Sequence, residues 1–135
     1  MKIFIACSKH FYHKIPEIQK KLENRGHKIT LPNSYDNPFK EEELKRLSRE
    51  EHIEWKSKMM RNDKKNIKPN DAILVLNFEK KDIPNYIGGA TFLEIYKSWE
   101  LGKKIFILNN LPRCSFTDEL IGFNPKILNG DLTKI

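Results

Sequence analysis

The sequence predicts an α/β fold: a single domain over residues 1–135, built as a three-layer sandwich around a five-stranded parallel sheet. Three observations carry this. Strand-sized apolar runs alternate with helical stretches from end to end, in the order β-α-β-α-β-α-β-α-β, with no internal repeat and no linker. The runs Ile3-Phe4-Ile5-Ala6 and Ala72-Ile73-Leu74-Val75-Leu76 are apolar at every position, as parallel strands covered on both faces are. Finally, 135 residues suit one domain and allow a real core to be buried.

Lys2 to Cys7 forms the first strand. Ile15, Ile18 and Leu22 then recur at helical spacing, and Gly26 ends that helix as a left-handed cap after Asn24-Arg25. "HKITL" is a short second strand closed by Pro32-Asn33-Ser34, and Leu31 to Pro38 is a loop rich in proline and asparagine. A long polar helix is expected from about Lys40 to about Ile67. Its inner stripe is Leu44, Leu47, Trp55, Met59 and Met60, with a gap near Glu51 that marks a bend. Lys68-Pro69-Asn70 breaks it. Ala72 to Leu76 reads as a central strand. The connection from Asn77 to Gly89 is long for a strand-to-helix loop, and long ordered loops tend to be functional. A helix follows to Leu101, capped by Gly102, then a strand over Lys104 to Leu108, a short helix near Thr117 to Ile121 and a last strand over Lys126 to Leu128.

Ligands of such sheets sit at the carboxyl ends of the strands, near the point where strand order switches. Three loops are expected to meet there: Cys7 to Phe11, Asn77 to Gly89, and Asn109 to Phe116. Candidate substrate-binding residues are therefore Cys7, Ser8, Lys9, Asn77, Gly88 and Gly89. The segment "CSKH" offers backbone amides that can cradle a phosphate, with Lys9 beside them.

Composition narrows the function classes. The net charge is +7, but lysines alternate with glutamates in "KEEELKRLSREEHIEWKSKMMRNDKK", as on a solvated helix face. No nucleic-acid-binding motif accompanies the charge, which argues against a nucleic-acid partner and leaves attraction for a small phosphorylated ligand. The longest apolar runs are too short to cross a membrane, and Met1-Lys2 leads directly into the first strand without a signal peptide's layout. Cys7 and Cys114 are distant from each other and lack CxxC spacing, so they read as free thiols of a reducing cytoplasm. His10, His13, His27 and His52 lack metal-ligand spacing. Neither GxGxxG nor GxxxxGK[ST] occurs, so neither a metal nor a cofactor is expected.

The candidate chemistry centres on "GGATFLEIYKSWELGKK", where Glu94 interrupts an apolar helix. Two readings stand. Thr91-Phe92-Leu93-Glu94 matches a capping box, in which the glutamate serves a backbone donor at the helix start. Alternatively the turn lies at Gly88-Gly89, and Glu94 sits one turn inside, facing the strand ends with helix amides favouring its ionised form. A positioned carboxylate there suits nucleophilic attack on an anomeric carbon. Such attack needs a proton donor for the leaving group, and "RNDKKNIKPNDAIL" offers Asp63 and Asp71. Asp71 lies at the amino end of its strand, as a turn or cap residue would. Asp63 falls beside the buried stripe of the long helix, or is solvated in its lysine-rich tail.

"IFIACS", "RND" ahead of "DAILVLNF", and "GGATFLEIYKSWELGKKIFIL" resemble, in order and over nearly the whole chain, the nucleoside 2-deoxyribosyltransferase superfamily. That superfamily includes the 2'-deoxynucleoside 5'-phosphate N-hydrolases. The resemblance implies a flavodoxin/Rossmann-like fold and a small nucleoside or nucleotide substrate. It also implies a homo-oligomer, dimer or larger, in which a neighbour can complete the site, with the C-terminal "ILNGDL" a candidate for such contacts. By motif position Glu94 corresponds to the glutamate that attacks C1' of deoxyribose, and Asp63, rather than Asp71, to the aspartate that protonates the leaving base. Two positions depart from the pattern. Phe4 stands where the family has a first-strand tyrosine that orients the glutamate, and Gly88 where transferases carry an aspartate near the sugar.

Overall fold

The computed structural model describes residues 1–135. Five strands, β1 (Lys2–Ala6), β2 (Lys28–Thr30), β3 (Ala72–Val75), β4 (Lys104–Ile107) and β5 (Lys126–Ile127), form one sheet in the order β2-β1-β3-β4-β5. Every pairing is parallel, with Phe4 opposite Ile73 and Ile73 opposite Ile105 across the centre. The helices are α1 (Ile15–Glu23), α2 (Lys40–Leu47), α3 (Arg49–Ile67), α4 (Gly89–Glu100) and α5 (Thr117–Gly122), with 3-10 turns at Lys9–Lys14 and Leu132–Lys134. The expected α/β three-layer sandwich is what the chain adopts, and the five strands fall where their apolar runs place them.

Successive strand residues point to opposite faces, so each central strand feeds two cores. Ile3, Ile5, Leu74 and Phe106 pack with Ile15, Ile18 and Leu22 of α1 on one face. Phe4, Ile73, Val75 and Ile107 pack with Ile67 of α3, Ile95 of α4 and Leu120 of α5 on the other. Most of these side chains are wholly inaccessible, and each contributes about 1.5–3 kcal/mol by leaving water. Only a sheet buried on both faces can use strands as uniformly apolar as β3.

The expected long helix is two helices. Ser48 adopts an extended backbone (φ −160°, ψ 158°) between α2 and α3, and its hydroxyl accepts from the Glu51 amide at 3.1 Å, capping α3. The stripe assigned to that helix also faces something other than the core. Leu47 and Met60 are 65% and 43% exposed, α2 buries no residue, and α3 buries only Asp63 and Ile67. The last turns of α3 reach the sheet; α2 and the rest of α3 cover a cavity at its edge. No helix is long and apolar enough to cross a membrane.

Candidate active site

In this strand order the chain leaves β1 towards β2 and returns to place β3 on β1's other side, so the switch point lies between β1 and β3. A cavity of about 760 Å³ opens there. Its walls come from the turn after β1, the loop after β2, the connection before α4, and the faces of α2 and α3. The expected third loop, Asn109 to Phe116, does not reach it. Phe116 packs on Phe92 with ring centroids 4.6 Å apart, and Pro32 to Pro38 supplies the third loop instead. β2 and β4 flank the switch-point strands symmetrically, yet the loop after β2 lines the cavity and the loop after β4 does not.

Glu94 lies on the cavity wall, 9% exposed. The N-cap of α4 is Gly88 (φ −87°, ψ 173°), with Gly89 as the first helical residue, so Glu94 is beyond the first turn and no capping box forms. Position also decides the charge. Burial raises the Glu94 carboxyl well above the ordinary glutamate range, the neighbouring Asp63 charge adds to this, and Lys56 opposes it. The expected bias towards the ionised form is therefore reversed: the first-turn amides do not offset desolvation one turn further on. No hydrogen bond engages the Glu94 side chain, while its backbone oxygen accepts from the Ser98 hydroxyl at 2.8 Å.

Asp63 is brought to the same cavity by the buried end of α3, and is 8% exposed. Burial lifts its pKa to about 6, against the opposing pull of Lys56, a hydrogen bond from Asn33 and Lys97. Asn33 Nδ2 donates to Asp63 Oδ1 at 2.9 Å, and Asn66 Nδ2 in turn donates to Asn33 Oδ1. Asn70 continues the chain, donating to the Asn66 carbonyl at 2.6 Å and accepting from the Thr30 hydroxyl at 3.2 Å. Four side chains thus orient one carboxyl. Because Glu94 and Asp63 interact, their protons belong to the pair, which holds a single proton between its two titrations. Asp71 is at the other end of the sheet, where its carboxylate accepts from the Lys2 amide at 2.8 Å.

The remaining sequence candidates divide. Cys7, Ser8, Lys9, Gly88 and Gly89 all line the cavity. The Cys7 thiol is pushed up to about 12 by burial and then by Glu94, so it stays protonated. Ser8 caps the 3-10 turn, accepting from the His10 amide at 3.4 Å. The Lys9 ammonium pairs with Glu42 of α2. Asn77 stands outside the cavity, fully buried. Its amide donates to the Asn110 carbonyl at 2.8 Å and accepts from the Asn109 amide at 2.8 Å, tying the ends of β3 and β4 together. Phe4 is sealed in the core beneath α4 and presents no polar group to Glu94.

Several wall residues were not among the sequence candidates. Asn33 reads as ordinary turn material, and only the closeness of the β2 loop to α3 gives it a role. Lys56 sits in a run of alternating charges, yet it acts on both buried acids and pairs with Glu41 at 3.1 Å. Trp55 and Met59 form a wall from what read as core stripe. Tyr12 is half-buried on the wall, and its hydroxyl proton is held more tightly by burial, Cys7 and Glu94.

No family profile matches this sequence, and no curated protein does. Among solved structures, the chain is similar to a 2-deoxyribosyltransferase from the psychrotolerant bacterium Bacillus psychrosaccharolyticus. The two share 22% identity and a TM-score of 0.54, over 80% of this chain and 72% of that one. At that identity the likeness establishes the fold: a parallel α/β sandwich of the 2-deoxyribosyltransferase kind.

Proposed function

We propose that the chain is a single-domain enzyme of N-glycosidic bonds, cleaving or transferring the base–sugar bond of a (deoxy)nucleoside or nucleoside 5'-monophosphate. The observation that carries this is the pair of buried, mutually interacting carboxyls, Asp63 and Glu94, in one aromatic-walled cavity at the strand switch point. The sequence resemblance to the nucleoside 2-deoxyribosyltransferase superfamily and the shared fold support it.

The reactive form is the pair with its single proton on Asp63. A Glu94 oxygen attacks the anomeric carbon as the bond to the base breaks, and Asp63 gives its proton to the departing base nitrogen. The glycosyl-enzyme ester then opens to water or to a second base, whose proton returns to Asp63. Desolvation raises the energy of the Glu94 anion in the empty site, and the positive charge that develops on the sugar favours that anion in the transition state. Asn33 keeps Asp63 aimed during both steps.

A second reading is a nucleotide-binding or sensing protein that keeps the pocket without turnover. Phe4, Gly88 and the absence of any hydrogen bond to the Glu94 carboxyl favour it. Incubating the chain with ribo- and deoxynucleosides and their 5'-monophosphates, with and without an acceptor base, separates the two. Free base released by the wild type but not by Glu94→Ala is the enzyme result, and base exchange marks a transferase. Ligand-induced stabilisation without product, unchanged in the variant, is the sensor result.

Assembly and location belong to the same proposal. Leu93, Tyr96 and Trp99 are 43%, 42% and 50% exposed along α4, and Trp99 packs on Phe123 at 5.7 Å. This apolar face supports a homo-oligomer. The unpaired thiols Cys7 and Cys114 suit a reducing cytoplasm.

A further inference from the structure

Helix α3 is a partition with two polar faces. Lys56, Met59 and Asp63 line the cavity, whereas Ser57, Arg61 and Lys64, at i, i+4 and i+7, line a groove outside it. Met60 borders both. Lys97 of α4 forms the opposite wall of the groove, which encloses about 440 Å³. The exposed aromatic residues of α4 lie on its other flank, where Tyr96 and Trp99 pack on Phe123 with ring centroids 6.4 and 5.7 Å away. The groove and that apolar face are therefore separate surfaces.

The charges of the groove are unbalanced. Arg61 and Lys64 form no ion pair, and the Lys97 ammonium pairs with Glu100 of its own helix at 2.8 Å. Glu100 is also drawn by Lys64, so three cations share one carboxylate. An exposed i,i+3 pair of this kind contributes little, and Glu100 can give way to a stronger acceptor. The planar guanidinium of Arg61 and the two ammonium groups supply donors from both walls, as a tetrahedral oxyanion needs. These cations span about two turns of α3 and a single position of α4, which suits a compact anion rather than a polymer.

We propose that Arg61, Lys64 and Lys97 bind a small free oxyanion of the phosphate class outside the cavity, and that Lys97 transmits its occupancy to Asp63. The anion site does not depend on the glycosidic reading above; only its effect on turnover does. Lys97 is the link because it acts on both sides of the partition. Burial raises the Asp63 pKa, and Lys56, the Asn33 hydrogen bond and Lys97 oppose it, with Glu94 the other acid facing Asp63. Asp63 in turn helps Lys97 to hold its proton, after Glu100 and Tyr96. An anion on Lys97 cancels part of its pull, so Asp63 keeps its proton to higher pH.

The test titrates the chain with inorganic phosphate and pyrophosphate at constant ionic strength, by calorimetry and NMR. Saturable binding is expected, with signal changes at Ser57, Arg61, Lys64 and Lys97. Arg61→Met and Lys64→Met should each weaken it about fivefold, and the double variant should lose it. Glu100→Gln deletes the competing carboxylate and should tighten binding by a similar factor, about fivefold. At saturating phosphate the Asp63 titration midpoint, followed by its carboxyl carbon signal, should move to higher pH in wild type but not in the double variant. Binding indifferent to the Arg61 and Lys64 substitutions, or weakened by Glu100→Gln, would overturn the site. An Asp63 midpoint that stays put at saturation would break the link through Lys97. A single-stranded oligonucleotide held by these residues more tightly than pyrophosphate would refute the small anion as the ligand. All three outcomes leave the glycosidic reading to be decided by base release.

Discussion

Asp63→Asn should make the protein more stable and less active, and the pH dependence of the gain is the informative part. The wild-type carboxyl has its pKa raised to about 6 by burial. An acid whose folded pKa lies above its unfolded value stabilises fully below the unfolded value, and loses that contribution as pH rises through the folded one. From about 4 in the unfolded chain, the shift corresponds to about 3 kcal/mol, and solvent in the open cavity trims this to about 2 kcal/mol. Asparagine keeps the shape and an oxygen that can accept the Asn33 hydrogen bond. At pH 8 the variant should therefore be about 2 kcal/mol more stable than wild type, about 6–8 °C in melting temperature for a domain of this size. At pH 4 the two should nearly coincide. Calorimetric melts at pH 4, 6 and 8 measure this directly. Base release should fall by about 10²–10⁴, the usual contribution of a general acid. Equal destabilisation at pH 4 and pH 8 would refute the argument, because it would make Asp63 a structural ion pair with Lys56.

Three further outcomes follow from the same geometry. Glu94→Gln should abolish turnover while matching or exceeding wild-type stability at neutral pH; a capping role would instead cost about 1 kcal/mol in a thermal melt. The pH profile of kcat/KM should be bell-shaped. It should fall below about 6, where the pair takes a second proton and Glu94 cannot attack, and fall again at high pH, where the last proton leaves. Asn77→Ala should cost about 2 kcal/mol by removing the hydrogen bonds that the buried Asn77 amide makes to Asn109 and Asn110. That loss should appear in the melt and leave ligand affinity, read by calorimetry, alone.

How much of this was legible in the sequence varies with the kind of signal. Uniformly apolar runs such as Ala72 to Leu76 specify a doubly covered strand, and the strands stand where those runs are. Glycine at 88 and 89 correctly put the start of α4 early, which took Glu94 out of the capping box. The break at Ser48 is also written locally: Ser48 and Glu51 have capping-box spacing, whereas the gap in the apolar stripe marks only a bend near Glu51. Leu47 and Met60 show what periodicity leaves open, since it gives the apolar face of a helix but not what lies against it. Asn33 and Lys56 carry no local signal, because their roles come from elements meeting across the switch point. The proton affinity of Glu94 is another long-range property. Helix position argued one way, and burial beside Asp63 decided the other.

The most direct measurement is quantitative release of free base from the panel of nucleosides and 5'-monophosphates by the wild type, Glu94→Gln and Asp63→Asn, with rapid quenching and mass spectrometry of the protein. The wild type should release base and carry a sugar adduct on the peptide containing Glu94. Glu94→Gln should show neither, and Asp63→Asn should form the adduct more slowly. Saturable binding of the same compounds by wild type and Glu94→Gln alike, with no base and no adduct at any time, would rule out the glutamate nucleophile.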